Sequence, residues 1–178
     1  MFRYLLAIVW ILIAGHAPAF ADAGVFVEQL SERIADAAEK SLPDTRAVLA
    51  RDFDIEAMAV AALPEAFRSK ATQAYFTAYH DRIAARFYDE FQSGDEGGIR
   101  VLGVRETGSL TLVGAEVSGN GRRAMVEFYL RRDGSGYKVV NVALEGLLIT
   151  KQQQRDFQPV LMSGDMPGLI AWMERTGR

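Results

Sequence analysis

The chain has 178 residues, a formal net charge of −3 and no cysteine. A mildly acidic chain with scattered lysines and arginines lacks the basic footprint of a nucleic-acid-binding protein. Without disulfides, packing alone must hold the fold together, and a chain of this length suffices for one domain with one core.

The N-terminal segment, residues 1–21, has the pattern of a cleavable export signal. Arg3 supplies a positive charge, and residues 5–14 form an apolar stretch too short to span a bilayer. The Ala-Phe-Ala triplet at 19–21 fits a signal-peptidase site. We therefore expect an exported, soluble mature chain that starts at Asp22 and forms one domain over residues 22–178.

The first half of that domain, residues 24–92, is alanine-rich and helical in period. The pattern predicts helices over Val25–Lys40, Thr45–Arg51, Ile55–Leu63 and, as the longest, from near Ser69 to about Gln92. Asp54 is the expected N-cap of the third helix. Asp52 and Asp54 also suggest a metal site, but no third carboxylate follows at ligand spacing. We therefore interpret Asp54 as a helix cap and Asp52 as a solvated acid.

The last of these helices has an aromatic-rich apolar stripe at helical spacing. The stripe comprises Phe76, Tyr79, His80, Ile83, Phe87 and Phe91. His80 is the single histidine of the mature chain, and a hydrogen-bonded structural role is favoured over a catalytic one.

The second half, residues 98–144, is rich in glycine and valine and alternates like β-strands. Predicted strands run over Ile99–Arg105, Leu110–Val117, Arg123–Arg131 and Tyr137–Leu144. Glycines at 94, 97 and 98 form a hinge before them, and turn dipeptides at 119–121 and 133–136 predict a meander. Two C-terminal helices follow, over Lys151–Met162 and Pro167–Arg175.

This order of elements predicts an α+β fold, because helices precede strands without βαβ alternation. N-terminal helices would pack on an antiparallel sheet of about four strands, and C-terminal helices would close the fold. No G-x-S-x-G, H-E-x-x-H or phosphate-binding glycine motif occurs in the sequence. We therefore expect no enzyme activity, no cofactor and no metal.

A set of apolar side chains would face the space between helices and sheet. From periodicity alone, a solid core is favoured for them. The set comprises Phe76, Tyr79, Ile83, Phe87, Val126, Phe128, Leu130, Val140, Val142, Leu147 and Ile149.

Glu145 directly follows the last predicted strand, which is apolar on both faces. A partly buried acid needs a partner, and Arg155 of the next helix is the expected one. The favoured interpretation is a structural pair that fixes the strand-to-helix turn, and contact with the polar group of a ligand is the alternative.

The stretch from Tyr137 to Leu161 carries a family resemblance. A β-patterned run meets Glu145-Gly146, an apolar bridge follows at 147–149, and a polar helix contains Arg155 and Phe157. This block resembles the MlaC-like, toluene-tolerance family of periplasmic phospholipid carriers. Further matches extend the resemblance over nearly the whole mature chain. They are Asp52-Phe53-Asp54-Ile55 with Ala59-x-x-Ala62-Leu63, Gln73, and the tail from Ser163 to Ile170.

The sequence also departs from the family pattern. Pro64 stands where the family usually has glycine, and Asn141 replaces an acid. These departures indicate a divergent branch, which could serve a different lipid such as a hopanoid.

The resemblance reverses the preference for a solid core. It implies that the helices and a curved sheet enclose an apolar cavity for acyl chains, lined by the apolar set above. It also implies transport of phospholipid between an outer-membrane lipoprotein complex and an inner-membrane ABC transporter with an MCE-type ring. Three alternatives remain: a hopanoid carrier of the same fold, a protein-interaction module with a solid core, and a small-molecule enzyme on a cone-shaped scaffold.

Overall fold

The computed structural model of the chain describes residues 19–92, 98–119 and 122–176. Of the predicted export signal, residues 1–18 lie outside the described residues. The same holds for the hinge glycines Gly94 and Gly97 and for the turn positions 120 and 121.

Five helices form the first half: α1 (Ala19–Lys40), α2 (Leu42–Asp52), α3 (Ile55–Ala62), α4 (Glu65–Arg68) and α5 (Gln73–Gln92). Asp54 caps α3 as predicted, because its side chain accepts a hydrogen bond from the Ala57 N–H at 3.0 Å. Ser41 caps α2 in the same way, so this helix begins before Thr45. Thr72 accepts from the Tyr75 N–H, which starts α5 at Gln73 rather than near Ser69. With 20 residues, α5 is shorter than α1, which has 22.

The second half forms one antiparallel sheet in the order β1-β2-β3-β4-β5. The strands are β1 (Gly98–Thr107), β2 (Leu110–Gly119), β3 (Arg122–Asp133), β4 (Gly136–Leu144) and β5 (Leu147–Leu148). The four predicted strands are confirmed, and β5 adds a short fifth. The final helix, α6 (Ile149–Thr176), is broken at Asp165, whose φ is 51°, so it consists of two helical segments as predicted. The α+β fold class is confirmed.

The strand register defines the inner face of the sheet, which is turned toward the helices. Phe128 in β3 lies between Val113 of β2 and Val142 of β4, and Leu130 lies opposite Val139. The pairing skips Val140, which is the extra residue of a β-bulge.

The helices pack mainly on the strands toward the two edges of the sheet, β1 and β4. Helix α1 packs on β1, where a Cβ added to Gly24 would lie 3.5 Å from the Val101 side chain. Helices α2, α3 and α6 pack against β4, whereas the middle strand β3 has no comparable helix contact. Within the described ranges, no helix is both long and apolar enough to cross a bilayer.

Candidate functional site

An apolar cluster lies between the inner face of the sheet and the helices, and it contains most of the predicted lining residues. Tyr79, Ile83, Val126, Leu130 and Val142 are buried in it, and Phe76, Phe87, Phe128 and Ile149 pack at its margin. The structure therefore brings together residues of α5, β3, β4 and α6, as the apolar pattern predicts.

Two predicted lining residues lie outside the cluster, and their assignment to the interior is wrong. Val140 is the bulged residue of β4, so Val139 takes the inward position and is fully buried. Leu147 lies in the short edge strand β5 and is 44% exposed. Sequence alternation misses the bulge because one extra residue shifts every later position to the other face.

Phe76 lies at the edge of the cluster rather than at its centre. It lines a polar cleft of about 430 Å³ together with His80 and Arg131. Tyr75 occupies the interior position instead, and its hydroxyl donates to the Ala59 carbonyl at 2.8 Å. The adjacent aromatics at 75 and 76 both fit a helical stripe with Tyr79, so periodicity alone could not choose between them.

Phe128 is the most informative residue of the cluster. Its cross-strand neighbours Val113 and Val142 are buried, yet Phe128 itself keeps part of its ring accessible. It lies on the middle strand, where no helix packs closely. We call the region between the inner face of the sheet at Phe128 and the helices opposite it the slot.

One end of the inner face is apolar and open. Leu144 pairs with Leu147, and these side chains are 48% and 44% exposed. Met125 of β3 is also exposed, but it pairs with Glu116 and lies on the other face of the sheet. Monomeric proteins seldom leave clustered large apolar residues in water without a use for them.

The polar atoms inside the cluster are neutral and satisfied. The Tyr79 hydroxyl donates to Gln153 Oε1 at 2.8 Å, and burial raises the pKa of Tyr79 well above its usual range. Burial raises the pKa of Tyr75 in the same way. The two buried hydroxyls therefore add no charge to the cluster.

Asp52 is the last residue of α2, where it faces α1, and it corrects a prediction. It is 6% exposed rather than solvated, and it pairs with Arg33 at 3.0 Å and Arg51 at 2.8 Å. Burial opposes its ionisation, but the two arginines outweigh burial and hold the pKa of Asp52 below its ordinary value. Within the described ranges, no three acidic or histidine side chains group as metal ligands would.

The predicted pair of Glu145 and Arg155 does not form. Glu145 adopts a φ of 49°, and its carboxylate accepts from the Met125 N–H at 2.7 Å. Arg155 donates to Gln152 on its own helix at 2.9 Å. The hairpin between β4 and β5 turns Glu145 toward β3, so the acid fixes the turn through backbone contacts instead of an ion pair.

His80 has the structural contacts expected of it. Its Nε2 lies 3.0 Å from the Arg46 carbonyl, to which it donates across the α2–α5 interface. Burial, followed by the nearby Arg46 charge, lowers the pKa of His80, so the ring is neutral at neutral pH.

Comparison with known proteins places these features in context. The family model for the MlaC protein matches residues 25–175. A solved phospholipid-binding protein from Ralstonia solanacearum, in complex with a phospholipid, has a similar fold, with a TM-score of 0.72 at 16% identity. That similarity covers 88% of this chain and 97% of the other. No curated protein matches the sequence.

Proposed function

Because the chain belongs to the MlaC family, we propose that it is a carrier that binds a phospholipid by its acyl tails in the slot. The solved relative of similar fold is a phospholipid-binding protein, which supports this choice of ligand. The proposed lining consists of Tyr79, Ile83, Phe87, Val126, Phe128, Leu130, Val142 and Ile149.

The partial exposure of Phe128 is the single observation that carries the proposal. A ring at the centre of an apolar face, between buried neighbours, stays accessible only where the opposing layer leaves room. Shielding acyl chains from water is worth about 0.8 kcal/mol per methylene. Two tails of about fifteen carbons therefore amount to roughly 20 kcal/mol, which requires apolar lining on both sides. A slot between helices and sheet offers that lining, whereas a surface groove does not.

We place the entrance of the slot at the open end formed by Leu144 and Leu147. The head group would remain in water there, so selection would act on the tails. Exposed leucines at an entrance would contact the upper part of the tails and lose their unfavourable hydration when lipid is bound.

The cellular role follows from the family as a further part of the proposal. The carrier would be periplasmic and would move lipid between an outer-membrane lipoprotein complex and an inner-membrane ABC transporter with an MCE-type ring. The exported chain would then start at Asp22. N-terminal sequencing of exported protein should read Asp22 first, and recovery of Met1 with membrane retention would contradict the assignment.

A vesicle assay tests the carrier function. Donor vesicles of phosphatidylethanolamine containing a tail-labelled analogue are mixed with unlabelled acceptor vesicles and with the purified protein. We expect the rate of label transfer to rise in proportion to protein concentration, because each molecule shields tails during transit. A transfer rate independent of protein concentration would reject the proposal. Lysozyme at equal concentration controls for non-specific extraction.

A further inference from the structure

An aromatic contact lies at the end of the inner face opposite Leu144. Phe26 of α1 and Tyr137 of β4 have ring centroids 5.8 Å apart. Tyr137 is buried in the apolar cluster, and Phe26 packs against the cluster's margin. The contact joins α1, which packs mainly on β1, to the far side of the sheet.

Two arginines hold these rings from outside the contact. The Arg33 guanidinium lies 5.7 Å from the Phe26 centroid, and the Arg132 guanidinium lies 5.0 Å from the Tyr137 centroid. Arg33 is itself fixed by its ion pair with Asp52. Cations over aromatic faces restrict ring movement and add stability. The two arginines therefore hold Phe26 and Tyr137 in place and make the adjacent surface charged. We call these two rings the aromatic wall.

The register gives the length of the slot. Leu144 at the open end pairs with Val126, and Tyr137 at the opposite end pairs with Arg132. Along β3 the interval from Val126 to Arg132 spans about 20 Å at the usual rise of a β-strand. A bilayer has a hydrocarbon core of about 30 Å, so the tails of one leaflet extend about 15 Å. A tail of this length that enters beside Leu144 would thus end about 5 Å short of the two rings, and only a longer tail would meet them.

We propose that Phe26 and Tyr137 limit the length of the acyl tail that the protein accepts. This inference rests on the proposed carrier function and adds a specificity determinant to it. A tail that is too long would have to displace the rings or leave methylenes in water. Each methylene left out of the slot weakens binding about fourfold.

Phe26→Ala is the variant that tests this wall, with Phe67→Ala as a matched control. Phe67 is also a partly buried aromatic under a cation, since Lys70 Nζ lies 4.8 Å from its ring centroid, but it belongs to α4, away from the sheet. Delipidated proteins are incubated with vesicles of phosphatidylethanolamines whose saturated tails have graded lengths. Native mass spectrometry then gives the distribution of bound species.

We expect Phe26→Ala to favour tails longer by about two methylenes, by up to about fifteenfold over the wild-type ratio. Phe67→Ala should keep the wild-type distribution. If Phe26→Ala does not fold, Phe26→Leu should show a smaller shift in the same direction. An unchanged distribution in a folded Phe26 variant, or equal shifts in both variants, would overturn the proposal that these rings limit tail length. Wild-type protein that binds no lipid at all would overturn the carrier function as well, which separates the two failures.

Discussion

Replacement of Val142 by Trp is expected to give a stable protein that no longer binds lipid. Val142 is 6% exposed and lies beside Phe128 on the inner face, where we propose that the tails bind. An indole at this position would occupy space meant for an acyl chain. Overpacking of a filled core costs about 1–3 kcal/mol, whereas filling a slot should leave the free energy of unfolding of the lipid-free protein nearly unchanged.

Val140→Trp is the matched control, because it places the same side chain on the same strand but outside the apolar cluster. We expect this variant to retain lipid. Lipid content by native mass spectrometry and the melting temperature of the lipid-free proteins are the two measurements. A Val142→Trp protein that still binds lipid and melts at a markedly lower temperature would show that a solid core exists at this position.

Asp52→Asn is expected to lower the free energy of unfolding by about 1–3 kcal/mol at neutral pH. The change removes the charge that Arg33 and Arg51 share and leaves a buried polar group with poorer partners. The effect should extend to the aromatic wall, because Arg33 also lies over Phe26. Urea unfolding of both proteins between acidic and neutral pH measures the difference.

The pH dependence of that difference has a definite sign. The pKa of Asp52 is lower in the folded protein than its ordinary value, so ionisation stabilises the fold. The stabilisation is complete above about pH 5 and is lost as the pH falls below about 4 and through the folded-state pKa. The gap between wild type and Asp52→Asn should therefore shrink in acid.

Asp81→Asn serves as the control for Asp52→Asn. Asp81 pairs with Arg46 at the surface, where its side chain is 56% exposed, so its loss should cost about 0–1 kcal/mol. Equal costs for the two variants, or a gap that widens in acid, would show that the Asp52 pair contributes no more than a surface pair.

Local chemistry explains why much of the fold could be predicted from sequence. Asp54 was identifiable as a cap because an acid precedes an apolar helical run, and the hydrogen bond to Ala57 confirms it. The alternation in β3 predicted its inner face, since Val126 and Leu130 are buried. These features depend on residues close together in the chain.

The errors arise where distant elements decide the structure. Val140 is displaced by a bulge that only the pairing with β3 reveals. Asp52 is buried because α1 brings Arg33 to it from 19 residues away. Glu145 meets Met125, 20 residues earlier, rather than the nearby Arg155. The proposed slot depends on the distance between layers, which no local pattern encodes, so only the family resemblance suggests it.

Native mass spectrometry of the protein, purified without denaturant or organic solvent, tests the central claim most directly. We predict a folded species whose mass exceeds that of the polypeptide by one membrane lipid, and extraction with organic solvent should release a phospholipid. Release of a hopanoid instead of a phospholipid would support the proposed slot and would change the proposed ligand. A stable, folded protein that shows only the polypeptide mass, both as purified and after incubation with phospholipid vesicles, would contradict the account.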